Sequence, residues 1–297
     1  MPLEQPLTIL LIGNGGREHA LAWKLSQSPS VRHIYVVPGN GGTAGLSKVT
    51  NMDDIKQDEF PALVKFAQEK GVNFLLPGPE APLVDGIVDF FREKLPNIRC
   101  FGPSKAAARM EGSKTFSKDF MDRHNIPTAA YKNFRDYEQA KQYLDSVSHD
   151  IVIKASGLAA GKGVIIPSSK KEAQESLKEI MLNKEFGSAG DEVVIEEFLE
   201  GDEISILSFC DGKTIRSLPP AQDHKRIFDG DQGPNTGGMG TYAPTSAASK
   251  ETLEDIQRTV LQPTIDGMAK EGMSSKEHLG RLAMPWTCEL PFYNANR

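Results

Sequence analysis

The 297 residues include only three cysteines, no apolar run of membrane-spanning length and no excess of positive charge. Cys100, Cys210 and Cys288 form an odd set without Cys-x-x-Cys or Cys-x-His spacing. That argues against a disulfide framework or a zinc site and for thiols in a reducing compartment. An apolar run leads only from Leu7 to Ile12, far short of the roughly 20 residues of a membrane span. Met1 to Pro6 is polar, broken by proline and lacks the basic start of a secretion signal. A cytoplasmic location without a membrane partner is therefore expected. The net charge of -6 disfavours a nucleic-acid surface, so an anionic ligand must be met by a local cluster of donors. What is present is ordinary globular composition, 39% hydrophobic and 25% charged, at a length that suggests two domains with cores large enough to need no staples.

The most informative stretch is Ile151-Val-Ile-Lys-Ala-Ser-Gly-Leu-Ala-Ala-Gly-Lys-Gly-Val-Ile-Ile166. Two β-branched runs flank a loop with Gly157, Gly161 and Gly163, and the lysines Lys154 and Lys162 stand beside it. It reads as strand, phosphate loop, strand: glycines let backbone N–H groups converge on an anion, and each ammonium adds a point charge. The spacing Gly-x-x-x-Gly-Lys-Gly is not a P-loop, because Gly163 stands where a magnesium-binding hydroxyl should be and a strand follows in place of a helix. A glycine-rich hairpin with solvated lysines is the plainer alternative.

The first hundred residues read as alternating strands and helices, the opening of a doubly wound sheet. Leu7 to Ile12 is a strand that ends at Gly13-Asn14-Gly15-Gly16-Arg17-Glu18-His19, with a helix following. Such a turn aims helix N-terminal N–H groups at an anion, and Arg17 can add a bidentate phosphate contact. A dinucleotide site is the obvious idea. Against it, Glu18 occupies the third glycine position of Gly-x-Gly-x-x-Gly, and the strand His33–Val37 ends in Pro38-Gly39-Asn40 without the ribose-binding acid, which favours a phosphosugar. Further elements are a helix over Phe60–Lys70, a strand over Val72–Leu76, a turn with Gly78 and Glu80, a helix to Lys94 and a short strand Ile98–Phe101. The turns Asn14–Glu18, Gly39–Gly42, Gly78–Glu80 and Gly102–Ser104 all fall at the carboxyl ends of strands, where such sheets bind ligands. Glu80 reads either as a helix-start charge or as an acceptor for ribose hydroxyls, and His19 as a helix-face residue.

One helix is expected over Lys105–Asn125, with Glu111-Gly-Ser-Lys114 inside it, then a strand and helix over Thr128–Asp150 and a helix over Lys170–Leu182. Val193 to Leu207 reads as two strands around a turn at Glu200-Gly-Asp202, a hairpin. As a site it offers the backbone of Glu197, Phe198 and Leu199 to an adenine edge and the Glu203 carboxylate to ribose hydroxyls.

Taken in order, Gly-Asn-Gly-Gly-Arg-Glu-His-Ala, Gly-Pro-Glu-Ala-Pro-Leu-Val, Glu-Gly-Ser-Lys, Lys-Ala-Ser-Gly-Leu-Ala-Ala-Gly-Lys-Gly-Val, Val-Ile-Glu-Glu-Phe-Leu, Gln-Asp-His-Lys-Arg and Gly-Pro-Asn-Thr-Gly-Gly-Met-Gly closely resemble the phosphoribosylamine–glycine ligases, the glycinamide ribonucleotide synthetases of the ATP-grasp superfamily. The resemblance covers roughly Leu7 to Gly272. It implies an α/β fold: a doubly wound parallel-sheet (pre-ATP-grasp) domain over 1–104 that binds phosphoribosylamine, then an incomplete ATP-grasp α+β domain over 105–272 with a lid about 128–192. It also implies a cytoplasmic ligase of purine biosynthesis with ATP and Mg2+ (or Mn2+) as cofactors and glycine and 5-phosphoribosylamine as substrates. Lys114 and Lys154 are then expected to hold ATP phosphates, with the loop of Gly157, Gly161, Lys162 and Gly163 closing as a lid. Glu197, Phe198, Leu199 and Glu203 are expected to take adenosine. Gly13, Asn14, Gly15, Gly16, Arg17, Glu18, Asn40, Gly78 and Glu80 are expected to take the phosphoribosyl group. Asp223, His224 and Lys225, with Asn235, Thr236 and Gly237, are expected around the reacting carboxylate and γ-phosphate.

The similarity stops near the end. Residues 273–297 lack the Glu-x-Asn and Gly-Asp-Pro-Glu strands whose Glu and Asn bind magnesium in the family, so the metal ligands are left unassigned and a truncated form with a divergent tail is expected. Three readings stay open: an active glycine ligase, an incomplete form that binds ATP or phosphoribosyl ligand only, and a nicotinamide-dependent dehydrogenase.

Overall fold

The computed structural model describes residues 5–159, 163–230, 232–236, 240–273 and the strand 286–290. They form two compact units, one running through Ala108 and the other starting at Arg109.

The first unit is a five-stranded parallel sheet. In chain order its elements are β1 (Leu7–Gly13), α1 (Gly16–Ser26), β2 (Val31–Pro38), α2 (Gly41–Ala44), β3 (Val49–Asn51), α3 (Phe60–Lys70), β4 (Phe74–Pro77), α4 (Glu80–Asp85), α5 (Ile87–Lys94) and β5 (Arg99–Cys100). The strand order is β3-β2-β1-β4-β5, with every pairing parallel. Parallel strands are covered on both faces, so β1 is continuously apolar and buried from Ile9 to Ile12 rather than alternating. Leu10 and Ile12 point into a core shared with Leu63, Val88 and Phe91 of α3 and α5. Ile9 and Leu11 point to the opposite side, where Ala22, Leu21 and Leu25 of α1 cover them. This is the expected doubly wound arrangement. The helix expected up to Lys94 is two helices, because Gly86 at φ 96 lies in the left-handed region and ends α4 before α5 begins.

The second unit begins within α6 (Lys105–Gly112) and continues through α7 (Lys114–Arg123), β6 (Tyr131–Phe134), α8 (Tyr137–Ser146), β7 (Ile151–Ala155), β8 (Val164–Ile165), α9 (Lys170–Met181), β9 (Val193–Glu197), β10 (Ile204–Cys210) and β11 (Ile215–Ser217). It continues with β12 (Gln222–Asp223), β13 (Arg226–Phe228), β14 (Gln232–Asn235), β15 (Thr241–Tyr242), α10 (Lys250–Ile256), a π-turn, α11 (Gln262–Lys270) and β16 (Trp286–Leu290). Its main sheet, in order β6-β9-β7-β8, is antiparallel. Here residues alternate. Phe134, Ile151, Ile153, Ala155, Val193 and Ile195 face a core with α8 and α9. By the two-residue period, Val152, Lys154, Val194 and Glu196 face the other way.

Two expectations for this unit are corrected. Lys105–Asn125 is not one helix: Ser113 leaves the helical path at φ -146 and caps α7 by accepting the Phe116 N–H, so the chain restarts at Lys114. The strands of Val193–Leu207 are not a hairpin either. β9 pairs with β6 and β7, while β10 pairs with β11 and β16 in another sheet. Neither β9 nor β10 is an edge strand, so each had a better partner than the other. Leu10→Ala, which empties the centre of the first core, is expected to cost about 2–5 kcal/mol in the first unit's urea unfolding transition.

Candidate functional site

Because β1 sits between β2 and β4, the chain reverses its direction of sheet growth at β1. The turns after β1 and β4 flank that switch point, where open α/β sheets bind ligands. They are joined there. Glu18 is 3% exposed and its Oε2 accepts the Gly15 N–H at 2.7 Å, while Arg17 Nε donates to Glu18 Oε1 at 3.0 Å. Arg17 Nη1 reaches across to Glu80 Oε1 at 2.7 Å. Burial works against the Glu80 carboxylate, but the Arg17 guanidinium outweighs it and holds the carboxyl below its ordinary range. Asn40 Nδ2 donates to the Asn14 carbonyl at 2.9 Å, and its Oδ1 caps α2 through the Gly42 and Thr43 N–H groups. Asn14, Gly15, Gly16 and Arg17 are exposed around this cluster. Gly13 and Gly78 have no room for a side chain: a Cβ on either would lie within 2.7 Å of Glu18. Three of the four expected turns thus converge, whereas Gly102 approaches Leu83 and Val88.

In the second unit β7 and β8 form an antiparallel hairpin, with the glycine loop between them. Gly161 and Lys162 lie outside the described residues, as does Gly237. Gly157 and Gly163 are tightly packed: a Cβ on Gly157 would meet Ala189, and one on Gly163 would meet Ala159. Lys114 is brought to this loop by backbone. Its N–H donates to the Ser156 carbonyl at 2.9 Å, and its Nζ donates to the Gly157 carbonyl at 3.3 Å. A hydroxyl cluster fixes that junction, with Thr115 Oγ1 2.9 Å from Ser156 Oγ and donating to Glu192 Oε2 at 2.6 Å.

Lys154 points away from the α8–α9 core, to the sheet face it shares with buried Val152 and Val194, where its Nζ pairs with Glu196. Glu196 is 3% exposed, and its Oε2 lies 2.6 Å from Lys118 Nζ as an ion contact outside hydrogen-bond geometry. Burial pushes the Glu196 carboxyl up, yet the two ammonium groups outweigh it and hold it below its usual range. Burial lowers the Lys118 ammonium in spite of Glu196.

The adenosine candidates follow directly on β9. The Glu197 N–H donates to the Ala130 carbonyl at 2.8 Å and the Phe198 N–H to the Asp150 carbonyl at 2.9 Å, which fixes this backbone before Leu199. Glu203 forms an ion pair with Lys225, so an expected ribose acceptor and an expected reacting-end cation contact each other. The ladder β13–β14 aligns Arg226 with Asn235, and Thr236 Oγ1 donates to the Lys225 carbonyl at 2.8 Å. Asp223 pairs with Thr241 in β12–β15, and the exposed His224 ring stacks on Tyr242 with centroids 5.7 Å apart. The segments 223–225 and 235–236 are therefore neighbours.

Two family models match the chain: the phosphoribosylglycinamide synthetase N domain over residues 7–111, and the phosphoribosylglycinamide synthetase ATP-grasp (A) domain over 112–280. The chain belongs to the phosphoribosylglycinamide synthetase family. It is similar to a bifunctional purine biosynthetic protein of Schizosaccharomyces pombe, 63% identical over 270 residues that cover 90% of this chain and 34% of that protein. With the phosphoribosylamine–glycine ligase of Haemophilus influenzae it is 51% identical over 266 residues, which cover 90% of this chain and 61% of the relative. The crystal structure of the phosphoribosylamine–glycine ligase of Thermotoga maritima matches with a TM-score of 0.77 and 32% identity, covering 95% of this chain and 68% of that one. An ADP complex of an N5-carboxyaminoimidazole ribonucleotide synthetase matches at a TM-score of 0.64 and 15% identity, a likeness of fold alone. The chain thus spans about a third of the length of the fungal relative. The expected fold, a parallel-sheet domain followed by an incomplete ATP-grasp domain, is borne out.

Sequence reasoning missed Lys118 and Glu196. Lys118 stands one helical turn beyond Lys114 in Lys114-Thr-Phe-Ser-Lys118, and Glu196 shares a strand face with buried Val194. A carboxylate two residues from a core valine in a strand with neighbours on both sides was the available signal.

A substitution pair checks the glycine cradle. A Cβ on Gly78 would lie 2.1 Å from Glu18 Oε1, while nothing lies within 4 Å of one on Gly16. Gly78→Ala is expected to destabilise by about 1–3 kcal/mol in urea unfolding, and Gly16→Ala to stay within about 0.5 kcal/mol of the parent.

Proposed function

We propose that this chain carries the phosphoribosylamine and ATP sites of a phosphoribosylamine–glycine ligase, with residues 1–104 taking the phosphoribosyl group, 105–272 taking ATP, and about 128–192 acting as lid. The observation that carries this reading is that Lys114 reaches Gly157 at the base of the same β7–β8 hairpin whose strand β7 carries Lys154. Two ammonium groups beside tightly packed glycines are a donor set suited to a polyphosphate and to little else of the chain's own making.

The reaction needs activation because a glycine carboxylate is a poor acylating agent. Its oxygen attacks the γ-phosphorus of ATP, the bond to the β-phosphate oxygen breaks, and glycyl phosphate and ADP result. The amine of 5-phosphoribosylamine then attacks the glycyl carbonyl, expels phosphate and gives glycinamide ribonucleotide. Lys114 and Lys154 hold the phosphates, the 197–199 backbone receives adenine, and Glu203 receives ribose hydroxyls once it exchanges Lys225 for them. Asp223, His224, Lys225, Asn235, Thr236 and Gly237 surround the reacting end. Arg17, with Gly13, Asn14, Gly15, Gly16, Glu18, Asn40, Gly78 and Glu80, holds the phosphoribosyl group. Lid closure raises the worth of each charge contact, from about 1 kcal/mol in water to about 4 kcal/mol at an effective dielectric of 20 for a pair ~4 Å apart. It also keeps water from the acyl phosphate.

Phosphoryl transfer leans on a divalent cation, expected here as Mg2+ or Mn2+. Among the described residues no group of three or more His, Cys, Asp or Glu side chains is arranged to hold one. The residues named above account for binding and orientation, and the metal ligands stay unassigned.

ADP release that depends on both glycine and phosphoribosylamine, in the presence of magnesium, is the result expected of an active ligase. ATP binding without such release at any protein concentration identifies the incomplete form. Lys154→Ala is expected to weaken ATP binding at least about tenfold while leaving phosphoribosyl binding unchanged, which is one lost charge contact of about 1.4 kcal/mol or more. An unchanged ATP affinity rejects the lid site.

A further inference from the structure

Glu196 has two cationic partners, and they are held very differently. Lys118 is buried on three sides: its Nζ lies 2.6 Å from Glu196 Oε2, donates to Thr128 Oγ1 at 2.6 Å and stands 5.6 Å from the centre of the Tyr131 ring. Its side chain is 9% exposed and leaves a helix packed on the sheet, so it has nowhere else to go. Lys154 contacts the other oxygen, Oε1, and its side chain is 18% exposed at the mouth of the glycine hairpin.

The electrostatic consequence follows from counting charges. One carboxylate and two ammonium groups leave a net positive charge. Were Lys118 absent, Lys154 would be the sole counter-ion of a buried carboxylate, and moving it to a phosphate would strand that carboxylate unpaired, which is strongly unfavourable. With Lys118 in place, Glu196 stays paired whichever way Lys154 turns.

We propose that Lys118 is a positioning residue for nucleotide binding: as the fixed counter-ion of Glu196, it frees Lys154 to exchange that carboxylate for a polyphosphate. The proposal rests on the reading of the Lys154 hairpin as the ATP lid. Lys118 touches no ligand in this account and acts only through Glu196.

The experiment measures ADP and adenosine affinities by calorimetry on the full chain, with folding of each variant checked by its thermal midpoint. Lys118→Met is expected to weaken ADP at least about tenfold and to leave adenosine unchanged, since adenosine has no phosphate. Lys118→Arg is expected to keep most of the ADP affinity. Glu196→Gln added to Lys118→Met removes the stranded charge and is expected to restore ADP binding to within a few-fold of the parent. Unchanged ADP binding in Lys118→Met, or a loss that Glu196→Gln does not relieve, overturns the proposal. If Lys118→Met fails to fold, Glu196→Gln alone decides, because the proposal requires ADP affinity equal to or above the parent and a clear fall contradicts it. Lys154→Ala is measured alongside: if it binds ADP as the parent does, the lid reading has failed and not merely the role of Lys118.

Discussion

A carboxylate buried between two ammonium groups is the constraint on which the second unit turns. Glu196 stands opposite Val152 on β7 and Tyr131 on β6, and Lys154 stands opposite Val194, so the cluster exists only in that strand register. A slip of β9 by one residue would send Glu196 into the apolar face beside Ile153 and turn Ile195 out of it. Lys118 then ties α7 to the same strand, and the hydroxyl cluster of Thr115 and Ser156 sets the helix start one turn earlier. Lys114 is carried to the glycine loop as a result of both. A buried ion cluster is weak support for stability by itself, but breaking one is costly, so it pins the strands and helix to one arrangement.

The first unit uses a related device at smaller scale. Its glycine turn is closed by Glu18, which satisfies the Gly15 N–H and holds Arg17 from one side, while Glu80 holds it from the other. In each unit a cation suited to phosphate is held by a carboxylate next to tightly packed glycines. The difference lies in exposure. Arg17 is 53% exposed and its pairs are screened by solvent, whereas the Glu196 cluster is nearly dry.

Legibility in the sequence tracked the range of the forces involved. The apolar run Leu7–Ile12 and the helix Phe60–Lys70 were readable because burial on both sheet faces and helical period are local patterns. The helix expected over Lys105–Asn125 broke at Ser113 because a cap competes well with helix continuation, and Glu111-Gly-Ser-Lys114 carried that signal unread. The strands of Val193–Leu207 were found, but their partners were not, since pairing of β9 with β6 and β7 depends on residues far away in sequence. Glycines and lysines of the candidate sites were visible as motifs. Lys118 and Glu196 were not, because their meaning appears only when a helix and a strand far apart in sequence meet.

If Lys154 moves between Glu196 and a polyphosphate while Lys118 stays, NMR of the chain labelled with 15N at lysine Nζ, with the two signals assigned by substitution and ADP titrated in, will show it. The Lys154 signal is expected to shift with nucleotide occupancy and the Lys118 signal to hold its place. A Lys154 signal that ignores saturating ADP, or a Lys118 signal that moves in its stead, would contradict it.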